Sequence, residues 1–510
     1  MQPPQPPTDP TTIDLSLGEN PLILIGASVR AAAQSANRAG FDVFGIDFFG
    51  DVDAQDACRW FASLEQIDQL SDDQLAELLS KSTRNTIQLD SAGDSDPSSM
   101  RLRGIPVMVV GGDQGLRIEE KIPDKIQSNS LLGFSSPNDA DDLAWMGETV
   151  LGRVLRRLKP FTSRIGSDEA ISRQLSSPPT LARIAIRSRT LFPPYRMNEA
   201  AASSGDSARA ATDGPTSESV PTGESVAAKP HDTRSDLPGR WLTKRRLSSG
   251  GLGVTWSSSA TSDDPKGSGA SDSTIDVAEL RQLWRPGRNY GVTFLSDAED
   301  VVVLGACRSM FTTKGPHRFV YAGSYGPLRL PQAIQNQLRL IGQQAAGQSG
   351  IRGVFNADVL IDDDQQVCLL EINARWSASM ECVERSFVAA TAQTRNELSL
   401  IKLAMDCEET RRTEMTQRRV DSMLADAPRF LKRIIYSRTS GTVDGRVLKE
   451  IQKSTGHGFS KIWVCDRPWD GSSIEAGDPL VSLVCQLPAR KSLSWRKTKR
   501  LIASLQKAVV

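Results

Sequence analysis

The chain has 510 residues, and at roughly 100 to 200 residues per domain this length predicts three or four domains. Lys plus Arg and Asp plus Glu both number 61, so the formal net charge is zero and no polyelectrolyte partner such as nucleic acid is indicated. The seven cysteines are widely spaced without a Cys-x-x-Cys pair, and there are only three histidines. These numbers argue against a disulfide framework and against a histidine-rich zinc site.

The N-terminal residues 1–20 are rich in proline and threonine, which predicts a disordered tail. The tail lacks the basic and apolar regions of a signal peptide, and no segment approaches the roughly 18 apolar residues of a membrane span. We therefore expect a cytoplasmic protein without membrane contact. The sequence leaves open whether it is a monomer or a homodimer.

The first ordered segment is predicted to be a strand, a helix and a second strand. An apolar run over 21–26 ends in a glycine turn, an alanine-rich helical pattern covers 30–39, and a strand over 41–47 ends in an acidic residue. We interpret residues 21–135 as a Rossmann-like domain with a structural or substrate-side role. NAD binding is the alternative, although the Gly-x-Gly-x-x-Gly fingerprint is incomplete.

The next predicted unit, residues 136–290, is interrupted by two stretches of low complexity. Residues 198–236 and 257–274 consist largely of Ala, Ser, Thr, Gly, Pro and charged residues. This composition cannot bury a core, so both stretches are predicted to be disordered insertions.

Between the two insertions, a strand that carries Lys244 leads into a Ser/Gly loop. The loop residues of interest are Ser249, Gly250 and Gly251. Small residues let backbone N–H groups approach phosphate oxygens closely, and a lysine adds a point charge on the same anion. Taken alone, the loop is more typical of a flexible turn than of a phosphate lid.

The segment 279–295 is predicted to form two strands joined by a turn at Pro286 and Gly287. Two more strands follow, and apolar residues at helical spacing over 331–345 predict a helix that packs on the sheet. We assign residues 291–424 to a separate unit that follows the unit predicted over 136–290.

The segment 353–380 carries the strongest functional pattern. Two apolar runs flank an Asp-rich break, which predicts a β-hairpin. A turn centred between Asp364 and Gln365 places Asp358 directly opposite Glu371, with Cβ atoms roughly 5 Å apart. Like charges at that separation destabilise a sheet unless a cation lies between them.

Alternation along the second strand places Glu371, Asn373 and Arg375 on one face. Carboxylate and amide oxygens suit Mg²⁺, which keeps its other positions for water and nucleotide phosphates. The alternative is a solvated hairpin whose acidic residues never meet, and this is the commoner outcome for an isolated Asp/Glu pair. The fixed cation of Arg375 beside the anionic cluster favours a metal–phosphate site.

The last predicted unit is a small β-rich domain over 425–510, because short strands there alternate with Gly and Pro turns. Its end, residues 490–500, is basic enough to contact nucleic acid. The apolar residues in and after it are more typical of an amphipathic terminal helix.

Three sequence features occur in a fixed order along the chain: Lys244 with its Ser/Gly loop, the turn near 285, and Asp358 with the Glu-x-Asn-x-Arg segment 371–375. This combination resembles the ATP-grasp superfamily. The glycine turn at 26–30 resembles the preceding domain of the carboligase branch related to biotin carboxylase. Two positions depart from the family pattern: alanine stands in place of the proline before the arginine, and arginine follows the lysine.

The resemblance implies an α/β fold, with a Rossmann-like N-terminal domain, an ATP-grasp fold of two α+β subdomains and the small β-rich C-terminal domain. It implies ATP and Mg²⁺ (or Mn²⁺) as cofactors, with Arg375 as the catalytic cation on phosphate. The implied metal ligands are Asp358, Glu371 and Asn373. The implied nucleotide-binding residues are Lys244, Ser249, Gly250, Gly251, Gln282, Leu283 and Trp284.

The implied activity is ligation: ATP phosphorylates a substrate carboxylate, and an amine or thiol then displaces phosphate. Such chemistry depends mainly on positioning and electrostatics, which fits the scarcity of histidine. The expected partners are small-molecule carboxylates and amines. Two alternatives stay open, a bicarbonate-dependent carboxylase like biotin carboxylase and a non-catalytic ATP-binding regulatory protein.

Overall fold

The computed structural model describes residues 20–71, 74, 105–110, 154, 162–164, 174–175, 177–193, 195–197, 240–245, 251, 253–257, 279–297, 299–392, 398–410, 415–453, 461–487 and 495–505. The predicted disordered tail and both predicted insertions lie outside these ranges, apart from Asn20 and Ser257. Within them, no helix combines the length and the apolar character that crossing a membrane requires.

A five-stranded parallel sheet is formed by the N-terminal part of the chain. Its strands are β1 (Pro21–Gly26), β2 (Asp42–Asp47), β3 (Trp60–Ser63), β4 (Ile105–Val110) and β5 (Thr162–Arg164). Their order is β3-β2-β1-β4-β5. The accompanying helices are α1 (Arg30–Arg38), α2 (Val52–Asp56) and α3 (Leu64–Gln69). The predicted strand–helix–strand start is confirmed, and β1 is buried along its whole length because both of its faces are apolar.

The parallel sheet extends beyond the boundary predicted at residue 135. Strand β5 follows that boundary and pairs with β4, with Ile105 opposite Thr162. The predicted start of the second unit is therefore too early, because pairing across the sheet is not visible in local sequence.

A four-stranded antiparallel sheet contains the strand with Lys244, called the lysine strand below. It consists of β6 (Tyr195–Met197), β7 (Trp241–Arg245), β8 (Val254–Trp256) and β9 (Glu279–Leu283), in the order β6-β9-β7-β8. Helix α4 (Pro178–Arg187) precedes it, and the side chain of Ser177 caps this helix by accepting a hydrogen bond from the N–H of Thr180.

An eight-stranded antiparallel sheet forms the centre of the molecule. Its strands are β10 (Arg288–Ser296), β11 (Val301–Lys314), β12 (His317–Gly326), β13 (Gly353–Ile361), β14 (Val367–Asn373), β15 (Phe430–Tyr436), β17 (Lys461–Cys465) and β19 (Pro479–Gln486). The order is β14-β13-β10-β11-β12-β15-β19-β17, and β16 (Gly441–Thr442) pairs separately with β18 (Ser473–Ile474).

Six further helices accompany this sheet. They are α5 (Gln332–Ser349), α6 (Met380–Thr391), α7 (Leu400–Thr410), α8 (Gln417–Leu424), α9 (Gly445–Lys453) and α10 (Trp495–Leu505). The helix predicted over 331–345 is confirmed as α5, which buries Ile334, Leu338 and Ile341 in a core shared with β10 and β13. A second core joins β1 and α1 to α6 and α7.

The C-terminal strands do not form the separate β-rich domain predicted over 425–510. Strand β15 pairs with β12, with Tyr325 opposite Leu431, and β19 and β17 continue the same sheet. The backbone groups on the outer edge of β12 are thereby paired, and the short strands gain a face on which to bury their apolar residues.

The turn predicted at Pro286 and Gly287 joins two different sheets and not two paired strands. Strand β9 pairs with β6 and β7, whereas β10 pairs with β11 and β13. Gly287 has φ 151°, and a Cβ atom there would overlap the side chain of Leu360. This glycine therefore lets the chain pass closely over β13 as it changes sheets.

Candidate active site

The two acidic residues predicted to face each other do so on the hairpin of β13 and β14. Asp358 lies opposite Glu371, as predicted. Nearer the turn the register differs from the predicted one by a residue, with Val359 opposite Leu369, and Leu370 is an extra residue on β14. The acidic pair is thus opposed because a β-bulge shifts the register next to it, a device that is frequent beside functional sites.

Asp358 is held by two amide side chains. The Nδ2 atom of Asn373 lies 3.1 Å from its Oδ2 atom, and Nδ2 of Asn356 lies 3.5 Å from its Oδ1 atom. The hydroxyl of Ser379 donates to Oδ1 of Asn356 at 3.2 Å. The carboxylate is therefore oriented by a chain of polar contacts that runs from β14 and β13 to the residue before α6.

The two opposed carboxyl groups repel each other when both are ionised, which favours a cation beside them. Burial and the nearby charge of Glu371 raise the pKa of Asp358 to about 7, while Arg375, Asn373 and Lys244 act in the opposite direction. The carboxylate oxygens of Asp358 and Glu371 are hard donors that fit Mg²⁺, whereas the amides of Asn356 and Asn373 direct their nitrogen atoms at Asp358. Across the described part of the chain, no group of three or more His, Cys, Asp or Glu side chains is arranged to hold a metal.

Lys244, on strand β7 of the four-stranded sheet, interacts electrostatically with the same pair. Burial lowers the pKa of its ammonium group, and the charges of Glu371 and Asp358 raise it. Electrostatic interactions therefore link Lys244 to both acidic residues and Arg375 to Asp358, and a hydrogen bond links Asn373 to Asp358.

The Ser/Gly loop is only partly described. Ser249 and Gly250 lie outside the described residues, whereas Gly251 has φ 80° and packs so closely on β12 that a Cβ atom would overlap the carbonyl oxygen of Phe319. This contact and the positive φ account for the glycine at 251 without a ligand. Its predicted contact with phosphate stays a prediction.

The predicted hinge residues lie at the end of β9. Gln282 is buried and Leu283 and Trp284 are partly exposed. The backbone N–H of Trp284 donates to the carbonyl of Arg240 at 2.8 Å, and its ring meets that of Trp256 at 5.8 Å in an edge-to-face contact. The hinge thus borders an aromatic surface beside the lysine strand.

The N-terminal sheet meets this site through Trp376. Val110, at the end of β4, forms an isolated parallel bridge with Trp376, the residue after Arg375. Ligands of open parallel sheets bind at the carboxyl ends of the strands. That edge of the N-terminal sheet is therefore adjacent to the arginine predicted to bind phosphate.

Sequence reasoning did not identify Asn356 and Ser379 as site residues. Alternation along β13 places Asn356 on the face of Asp358, so the period of two was a usable signal for it. Ser379 had no such signal, because its contact depends on the path of the chain between β14 and α6.

A comparison with protein-family models matches residues 218–379 to the model described as an ATP-grasp domain. This segment includes the lysine strand and the whole acidic hairpin. Residues 218–379 are therefore similar to ATP-grasp domains, over about a third of the chain. No curated protein matches the chain in a sequence search.

Solved structures share the ATP-grasp fold with the chain at low sequence identity. An N5-carboxyaminoimidazole ribonucleotide synthetase solved with ADP has 11% identity and a TM-score of 0.53, covering 96% of this chain and 98% of that one. The N5-carboxyaminoimidazole synthase of Aspergillus clavatus has 9% identity and a TM-score of 0.53, with 96% and 99% covered. Pyruvate carboxylase of Rhizobium etli has 12% identity and a TM-score of 0.54, and 96% of this chain covers 37% of that enzyme.

Proposed function

We propose that the protein is an ATP- and Mg²⁺-dependent ligase that activates a substrate carboxylate as an acyl phosphate and joins it to an amine or thiol. The observation that carries the proposal is the opposition of Asp358 and Glu371, inside the segment that matches the ATP-grasp domain model. Asn373 donates a hydrogen bond to Asp358, and the charges of Arg375 and Lys244 act on the pair. Phosphoryl transfer is catalysed mainly by positioning and charge stabilisation, and these residues can supply both.

In this proposal Asp358, Glu371 and Asn373 hold the metal, and Mn²⁺ is an alternative to Mg²⁺. When bound, the metal neutralises phosphate charge. Arg375 stabilises negative charge on the transferring phosphoryl group, and Lys244 binds a phosphate oxygen as a point charge.

We infer that ATP occupies the space between the four-stranded sheet and the acidic hairpin. Gln282, Leu283 and Trp284 would border the adenine, and the loop with Ser249, Gly250 and Gly251 would cover the phosphates. The aromatic surface around Trp256 supports this, because a purine stacks favourably on such side chains.

The N-terminal parallel sheet supports the inference of a Rossmann-like domain that helps to bind the carboxylate or the amine. We also propose a cytoplasmic location and small-molecule substrates, with a homodimer as one candidate assembly. A mass measurement in solution distinguishes a monomer from a homodimer.

Phosphate release across a panel of carboxylates and amines tests the function. The experiment compares the wild type with Glu371→Gln and with a matched control, Asp363→Asn. Asp363 is an exposed residue in the turn of the same hairpin. We expect release that needs both a carboxylate and an amine, is lost in Glu371→Gln and is kept in Asp363→Asn. Release with bicarbonate alone would support the carboxylase alternative, and Mg²⁺-dependent ATP binding without release for any pair would support a regulatory protein.

A further inference from the structure

Four carboxyl groups gather at the carboxyl end of β2, outside the ATP-binding residues. Asp47 ends the strand, Asp51 and Asp53 follow in the next loop and in α2, and Asp466 comes from the residue after β17. Electrostatic coupling joins the group: Asp466, Asp47 and Asp53 all raise the pKa of Asp51 after burial, the largest cause.

Three of these carboxylates accept hydrogen bonds from the protein. Asp47 accepts hydrogen bonds from the N–H groups of Val29 and Gly50 at 2.7 and 2.9 Å. The carboxylate of Asp53 accepts from the N–H groups of Asp466 and Arg467 at 2.9 and 2.7 Å. Asp466 in turn accepts from Nε of Arg30 at 2.6 Å and from the hydroxyl of Ser28 at 3.2 Å.

Asp51 differs from the other three. It is 6% exposed, and its Oδ2 atom is buried without a hydrogen-bond partner. The backbone holds it there from both sides, because Gly50 is bound to Asp47 and the N–H of Val52 donates to the carbonyl of Arg467 at 2.8 Å. Burial without a partner disfavours the ionised form of this carboxyl, and a cationic ligand that supplies donors would favour it again.

The nearby cations do not compensate for Asp51 within the described ranges. Arg30 is committed to Glu381 and Asp466, and Arg467 lies 3.6 Å from Asp56 and 4.0 Å from Asp53. Arg30 lowers the pKa of Asp51, but burial and the charges of Asp466, Asp47 and Asp53 each raise it more strongly.

The chemistry of the free acceptor favours an organic ammonium group over a divalent metal. A metal such as Mg²⁺ or Ca²⁺ takes six or more oxygen ligands, whereas the oxygens of Asp47 and Asp53 already accept backbone hydrogen bonds. An ammonium group brings a single charge and three donors, so one free carboxylate and neutral acceptors can satisfy it.

We propose that Asp51 binds an ammonium group of the amine substrate, at a point remote from the reacting nitrogen. The proposal rests on the proposed ligase function. The strand β1 lies between β2 and β4, so two strand spacings of about 4.8 Å separate the cluster from the Val110–Trp376 bridge beside Arg375. An extended diamine or a similar dication spans this edge of the sheet.

Titration calorimetry without ATP tests the site directly. The probe is 1,5-diaminopentane, with 1,5-pentanediol as the neutral analogue and MgCl₂ as the metal arm. We expect the diamine to bind to the wild type and to Asp56→Asn, whose side chain is 70% exposed at the end of α2, and to bind roughly tenfold or more weakly to Asp51→Asn. The neutral diol is expected not to bind.

Equal diamine affinity in the wild type and Asp51→Asn, or no diamine binding at all, overturns the proposal. So does Mg²⁺ binding that is lost specifically in Asp51→Asn. Because Asp51→Asn removes a carboxyl whose ionisation is disfavoured by burial, the variant is expected to be at least as stable as the wild type, and its failure to fold also contradicts the proposal. Diamine binding that persists while phosphate release fails with every substrate refutes the ligase and leaves the ammonium site standing.

Discussion

Arg30 and Glu381, which are 351 positions apart in the sequence, form a buried two-point ion pair. The Nη1 and Nη2 atoms of Arg30 lie 2.9 and 2.8 Å from the two carboxylate oxygens of Glu381. Lys432 and Arg385 bind the same carboxylate at 2.8 and 2.9 Å. The side chain of Glu381, at the start of α6, thus joins helix α1, the next turn of α6 and strand β15.

Glu381→Gln is expected to lower the free energy of unfolding by about 3 to 5 kcal/mol, because it leaves three cations without their shared buried partner. Urea denaturation measures the change. Asp406→Asn is the control, since its exposed pair with Lys402 contributes at most about 1 kcal/mol. Similar losses in the two variants would show that the buried network is not a major source of stability.

The raised pKa of Asp358 predicts a specific pH dependence of stability. The folded state holds this proton up to about pH 7, whereas an unperturbed Asp has a pKa of roughly 3.9, so the folded state binds more protons between these two pH values. Stability relative to Asp358→Asn should therefore fall as the pH rises from about 4 to 7 and level off above. Unfolding free energies of both proteins, measured across this range without Mg²⁺, check the prediction, and a flat difference would contradict the raised pKa.

Lys244→Met is expected to weaken ATP binding roughly ten- to a hundredfold, the range for losing a hydrogen bond to a charged group. The substitution also removes a positive charge that is attracted to the carboxylates of Asp358 and Glu371. Binding is measured by the change in tryptophan fluorescence, which Trp256 and Trp284 beside the lysine strand make suitable. Lys402→Met, on the exposed face of α7, serves as the control and should bind ATP normally.

Gly251→Ala should loosen the β7–β8 hairpin from β12, because the new Cβ atom meets the carbonyl of Phe319 at a positive φ. Faster amide hydrogen exchange over 253–257 would report the change. Gly347→Ala is the matched control: a Cβ atom in that helical position has open space, and the substitution should stabilise α5 by about 0.5 to 1 kcal/mol. Unchanged exchange in Gly251→Ala would mean that the contact with β12 does not fix the hairpin.

The acidic hairpin could be predicted because its signals are local. Alternation with a period of two and an Asp-rich break sufficed to place Asp358 against Glu371, even though a bulge at Leu370 changes the register nearer the turn. The same rule could have identified Asn356. The strands and the helix around the hairpin were predictable for the same reason.

Contacts between distant segments could not be predicted from the sequence. The partner of Arg30 lies on a helix near residue 381, and no local periodicity relates the two residues. The attachment of β15 to β12 and of β5 to β4 depends on which sheet edges need partners once the rest has folded. Gly287 likewise appeared as part of a turn, because its approach to Leu360 exists only in the assembled sheets.

The central claim is that Asp358 and Glu371 hold the metal that accompanies ATP. Calorimetric titration of ATP into the wild type, Glu371→Gln and the control Asp363→Asn, each with MgCl₂ and with EDTA, tests it most directly. The account predicts tight binding that depends on Mg²⁺ in the wild type and in Asp363→Asn, and loss of the Mg²⁺ dependence in Glu371→Gln. Equal Mg²⁺-dependent affinity in all three proteins would contradict it.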